Sequence, residues 1–201
     1  MVSAAANLGL ESVDGSAYEN AALCLVDAIY SINLGYRSAV AKVVQRCRQA
    51  FAEEGVSDVQ TLVHFIEARD TESITRTPFS AHRTAGRNNI LKIDAVLREA
   101  RVLLRHGVND CAQICEHTED SGLAYDFHSV PGQTDIALWY LFMLAGRDDY
   151  VKPDRRLWRY LTGTVGVSAR TNRDVLVLMR SAASELGCTP RALDHALWLI
   201  A

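Results

Sequence analysis

The chain has 201 residues, 49% of them hydrophobic, which is enough to build a real core and excludes a disordered or fibrous polymer. With 21 Lys and Arg against 24 Asp and Glu, the formal charge is −3, so no global field draws the molecule to nucleic acid or an anionic membrane. Any polyanion must be held locally.

No apolar run approaches the roughly 20 residues of a membrane span, and the first ten residues lack the basic start of a secretion leader. Five scattered cysteines, Cys24, Cys47, Cys111, Cys115 and Cys188, read as reduced thiols in a chain large enough to need no disulfide staples. The expectation is a soluble cytoplasmic protein with no membrane partner.

Apolar residues recur at three- and four-residue spacing along the chain, and there are only four prolines, so the sequence predicts an all-α fold. In residues 20–51, Leu23, Val26, Ile29 and Tyr30 line one helical face. After a break at Asn33-Leu34-Gly35 a second helix carries Val40, Val43, Val44 and Cys47. Ser57 is placed to cap a helix through Val59, Leu62, Val63 and Ile66. Residues 70–88 are polar and aperiodic and read as a loop, and residues 89–106 form a long helix ended by Gly107. A shorter helix covers residues 111–117. A tight turn at Val130-Pro131-Gly132-Gln133 then leads through Thr134, a natural N-cap, into the apolar run 136–145. Beyond Pro153-Asp154 come a helix through Leu157, Trp158 and Leu161, a Thr/Gly-rich break at 162–166 and two closing helices, the last opened by Thr189-Pro190.

Charge is uneven along this order. Residues 1–34 contain four acids and no Lys or Arg, whereas residues 147–173 hold seven basic residues and three acids. That excess suits phosphates as well as it suits a solvated helix face. The Gly132 turn has a similar double reading. A glycine turn that opens a helix aims free N–H groups at a phosphate, yet Pro-Gly pairs also make ordinary turns.

From the turn at Val130-Pro131-Gly132, through the run 136–145 and Gly146, to Val151-Lys152-Pro153-Asp154, the sequence resembles the helix-hairpin-helix DNA glycosylase superfamily with the endonuclease III-like fold. Leu25-Val26-Asp27-Ala28-Ile29-Tyr30-Ser31-Ile32-Asn33 looks like that family's early helix, and the run from Arg87 to Leu104 like its helix two elements before the hairpin. The resemblance spans most of residues 20–165. It implies two helical lobes with a cleft between them: a central bundle over residues 20–148, and a second lobe over 149–201 completed by 1–19. It also implies that Asp154 is the catalytic carboxylate and that Asn33 fills the gap left by an extruded base. Gly132, Gln133, Thr134, Lys152, Arg155 and Arg159 would contact DNA, with Tyr30, Tyr36, Trp139 and Tyr140 lining a base pocket. Its partner would be double-stranded DNA, bound by a monomer at the nucleoid.

Where bifunctional members carry a Schiff-base lysine, this chain has Ile136, so the reaction implied is hydrolysis of the N-glycosidic bond of a damaged or modified base without strand cleavage. Thr134 stands where the family has a second hairpin glycine, and Asp135 brings a negative charge to the helix start, both unfavourable to tight phosphate binding. Cys188 is alone after residue 115, so no iron–sulfur cluster and no other cofactor is expected, a monovalent cation at the hairpin being the one ion the resemblance allows. Two rival readings stand beside this one. The first is a non-catalytic DNA-binding protein that keeps the fold. The second is a metal site at His106, Cys111, Cys115 and His117, although Cys111 and Cys115 also share one helix face.

Overall fold

The computed structural model describes residues 17–200; the expected share of the N-terminus in a second lobe falls largely on residues 1–16, outside the described residues. Eleven α-helices occur among the described residues and no strand does, an isolated antiparallel bridge between Arg83 and Leu91 aside. The fold is all-α, as the hydrophobic periodicity predicts.

Helix α1 (Ala21–Tyr30) is buried on every side, because its residues are apolar all round apart from Asp27. It is the central rod, with α2 (Ala41–Glu54), α3 (Val59–Glu67), α5 (Lys92–Arg105) and α8 (Asp135–Ala145) packed around it. The break before α2 takes the form of a π-helical turn, Tyr36–Val40. Asp58, not Ser57, caps α3: its Oδ1 accepts the Thr61 N–H at 2.8 Å, while Thr61 Oγ1 returns to accept the Asp58 N–H. A carboxylate outcompetes the neighbouring hydroxyl for the helix's positive end.

Two short helices fall where the sequence pattern shows none. Helix α4 (Thr71–Arg76) lies within the polar stretch 70–88, capped by Asp70, and α7 (Ser121–His128) is capped by Asp120. Each buries only one or two side chains, so neither writes a strong apolar stripe into the sequence. Between them lie α5 and α6 (Cys111–Glu116). Thr134 caps α8 as expected, and Gly146 ends it at φ +125°. After α9 (Arg155–Arg159) the chain runs through a second π turn, Tyr160–Thr164, into α10 (Asn172–Leu186) and α11 (Pro190–Ile200). Helix α11 packs against both α9 and α10, so the last helix returns to the side of the molecule where residues 152–157 lie. No helix is long and apolar enough to cross a membrane.

Candidate active site

The end of α1 supplies the first wall. Lys92 is 1% exposed, and its Nζ donates to the Ile29 and Ile32 carbonyls at 2.7 and 2.8 Å, satisfying helix-end oxygens that α1 leaves open. Burial, and then the like charge of Lys152, push its pKa down to about 8. Just beyond, Asn33 takes a left-handed φ of +59°, which an asparagine tolerates better than most residues. Its Oδ1 accepts an Arg155 Nη2 hydrogen bond at 2.7 Å.

Asp154 caps α9. Its Oδ1 accepts the Arg156 and Leu157 N–H groups at 2.8 and 3.1 Å, and its Oδ2 has no hydrogen-bond partner among the described residues. Pro153 makes this local choice physical: it holds the preceding backbone extended and cannot continue a helix backwards, so the new helix starts where the carboxylate can cap it.

Beside it, Lys152 lies 4.0 Å over the Tyr140 ring and donates to the Ser31 carbonyl at 3.3 Å. Burial lowers the Lys152 pKa, against the opposing pull of Asp154, Asp27 and Asp194. Those three carboxylates come from three elements. Asp27, on α1, is 1% exposed and accepts hydrogen bonds from Tyr18 (2.7 Å), Ser31 (2.8 Å) and Tyr36 (3.0 Å). Both phenols titrate above their ordinary range, because they are buried and face that carboxylate. Asp194, on α11, is pushed up to about 7 by burial and by the charge of Asp154, while the Lys152 N–H and ammonium pull it back.

These groups line one cleft of about 1420 Å³. Asp27, Tyr36, Tyr140, Lys152, Asp154 and Asp194 all face it, with Tyr18, Arg37, Arg48, Arg156 and Trp198 on its walls. Asn33 and Arg155 join this neighbourhood through their mutual hydrogen bond, whereas Arg159 is exposed on α9. Tyr30 and Trp139 are placed elsewhere. The Tyr30 ring is fully buried 6.1 Å from Phe79, and Trp139 packs on Tyr150. Sequence reading did not single out Asp27 and Asp194 as site residues; a lone acid on an otherwise apolar helix, as Asp27 is, is the signal that points to such a group.

The hairpin between α7 and α8 does not line the cleft. Gly132 has φ +84°, and a Cβ there would lie 2.7 Å from Thr84 Cβ and 3.1 Å from the Ala85 carbonyl oxygen. Thr134 has φ −152°, which is ordinary extended backbone, so its β-branched side chain is unstrained there. Gln133 is 4% exposed, with no partner for its side-chain amide, and Asp135 pairs with His128 at 3.2 Å. The Val130 carbonyl accepts the Gln133 N–H at 3.1 Å. His106, Cys111, Cys115 and His117 do not converge: among the described residues no group of three or more His, Cys, Asp or Glu is placed to hold a metal ion. His106 sits between Asp126 and Asp120, and His117 bonds to the Gln113 carbonyl.

No curated protein and no solved structure matches the chain. A family model described as "Domain of unknown function (DUF8548)" matches residues 4–201, and the chain belongs to that family.

Proposed function

We propose that the protein is a monofunctional DNA glycosylase of helix-hairpin-helix type, hydrolysing the N-glycosidic bond of a damaged or modified base extruded from duplex DNA. The observation that carries this reading is Asp154: a carboxylate fixed by two backbone N–H bonds on one oxygen, with the other oxygen unengaged, on the wall of a cleft, and followed in the chain by Arg155, which bonds to Asn33.

Cleaving the bond builds oxocarbenium character on the deoxyribose. A carboxylate held in place before the reaction stabilises that charge without having to reorganise, and its free oxygen orients and deprotonates the attacking water. Lys152 lies beneath, bonded to the Ser31 carbonyl and placed over the Tyr140 ring, so it holds the floor of the site and its positive charge offsets part of that of the three acids. Asn33, tied to Arg155, occupies the space of the extruded nucleotide and offsets part of the few kcal/mol that unstacking costs. With Ile136 at the Schiff-base position the product is an abasic site in an intact strand.

The test is base release from a panel of duplexes carrying alkylated, deaminated, oxidised or hypermodified bases. Release without strand cleavage supports the reading. Duplex binding with no release on any substrate supports a binding protein, a role the capping function of Asp154 would also serve.

A further inference from the structure

The other side of the cleft carries a group of cations that the chemistry above does not use. Trp198, on α11, has the Arg37 guanidinium carbon 5.4 Å and the Arg156 guanidinium carbon 5.2 Å from its ring centroid. Tyr36 packs edge-on to the same indole at 6.1 Å. Arg48, exposed on α2, lines the same cleft close enough to lower the Tyr36 phenol against the other influences on it.

These three arginines differ from seven others in the fold. Arg69, Arg76, Arg101, Arg105, Arg147, Arg180 and Arg191 each pair with a carboxylate. Arg37, Arg48 and Arg156 have no carboxylate partner among the described residues. Two guanidiniums gathered on one indole repel each other, and the ring's quadrupole offsets only part of that. Each guanidinium carbon lies over the indole and neither side chain pairs with a carboxylate, so both keep N–H groups for a phosphate, which arginine binds by two parallel hydrogen bonds. Of the acids besides Asp154 that line the cleft, Asp27 is bound by three hydroxyl donors, Asp194 lies against Lys152 and Asp148 pairs with Arg191, while Glu19 lines it as well.

We infer that Trp198, Arg37, Arg156 and Arg48 form a phosphate-binding ledge that takes the phosphate attached to the nucleotide whose sugar faces Asp154. The ledge rests on the glycosylase reading for the identity of that sugar. The cleft, at about 1420 Å³, exceeds the roughly 300–1,000 Å³ typical of small-ligand pockets, so it has room for a nucleotide together with its flanking phosphate. One helix presents both functions: the Arg156 N–H caps onto Asp154 while its side chain reaches Trp198, so anchoring the phosphate sets the sugar's distance from the carboxylate.

The experiment measures binding of two probes, a fluorescein-labelled duplex with one tetrahydrofuran abasic site and a free deoxynucleoside 5′-monophosphate. Proteins are the wild type, the Arg37→Gln/Arg156→Gln double variant, Trp198→Phe and Asp154→Asn, each checked for folding by circular dichroism. The ledge predicts that the double variant loses at least tenfold in duplex affinity at low salt, with a shallower slope of log affinity against log salt. Trp198→Phe, which keeps an aromatic face, loses less than the double variant, and Asp154→Asn, which removes an anion and no cation, neither weakens binding nor flattens the slope. Loss confined to the monophosphate identifies a free nucleotide as the source of the phosphate and still supports the ledge. Wild-type affinity and slope for both probes in the folded double variant overturn it. Arginine-dependent binding with no base release from any duplex leaves the ledge standing and removes the glycosylase reading.

Discussion

The Arg155 guanidinium donates to Asn33 Oδ1 at 2.7 Å, across 122 residues of chain, and so joins the first turn of α9 to the loop that ends α1. Asn33 is exposed and in a left-handed conformation, and this bond holds its side chain against the residue that follows Asp154 in the chain. Removing the guanidinium in Arg155→Ala costs an exposed hydrogen bond, about 0.5–1 kcal/mol, and therefore moves the melting temperature by only about 1–4 °C. Base release slows by about tenfold, because an unheld Asn33 fills the duplex gap less often, an effect worth about 1.4 kcal/mol. Single-turnover rates and thermal melts on the same preparation check the pair of outcomes; a rate unchanged from wild type would detach Asn33 from the chemistry.

Asp194 makes stability depend on pH. Its folded pKa is raised from 3.8 to about 7 by burial and by Asp154. The folded state therefore holds a proton that the unfolded state has released. The contribution is fully present below about pH 4 and is lost as pH rises through 7. Asp194→Asn abolishes that dependence, an effect on the order of a few kcal/mol. Urea denaturation at pH 5 and pH 8 measures it: the wild type loses more stability between the two than the variant does. Equal losses would place Asp194 in contact with water.

A second buried acid, Glu99 on α5, is 0% exposed with both carboxylate oxygens unpartnered. Burial pushes its pKa up to about 10, so it is neutral in the folded protein at pH 7 and ionised in the unfolded one. Glu99→Met replaces an unsatisfied polar group by an apolar one of similar length and stabilises the protein by about 1–3 kcal/mol. The gain is larger at pH 8 than at pH 5, since the proton that folding must recapture grows costlier as pH rises through that window. Chemical melts at both pH values read the gain and its sign.

The hairpin glycine is set by contact as well as by conformation. Gly132→Ala meets both the positive φ and a Cβ position 2.7 Å from Thr84 Cβ. It destabilises the protein by about 2–4 kcal/mol, or about 5–15 °C in melting temperature for a chain of this size. A shift of less than 1 °C would mean that the 84–85 loop moves away freely.

Much of this arrangement is legible in the sequence, and the reasons differ from place to place. Pro153-Asp154 and Thr134 announce their helix starts because capping is local chemistry, readable from a few residues. Helices α4 and α7 were not legible, since each is held mainly by a cap and one or two buried side chains. In the cleft, Asp154, Lys152 and Tyr36 were within reach of motif spacing. The company they keep was not: Asp27 and Asp194 lie 167 positions apart and meet Lys152 only because α11 folds back toward α1. Tyr30 and Tyr36 have the same side chain six residues apart, yet the first packs in the core and the second turns its hydroxyl to Asp27. Helix rotation, fixed by packing, decides which aromatic faces the cleft.

The central claim is that Asp154 performs the chemistry in addition to capping α9. Asparagine caps a helix as well as aspartate does, so Asp154→Asn keeps the structural role and removes only the charge. The decisive measurement is single-turnover base release by this variant on whichever modified duplex the wild type cleaves, alongside its thermal melt. Loss of at least a hundredfold in rate, with a melting temperature near wild type, is the predicted result; release at the wild-type rate by the folded variant would contradict it.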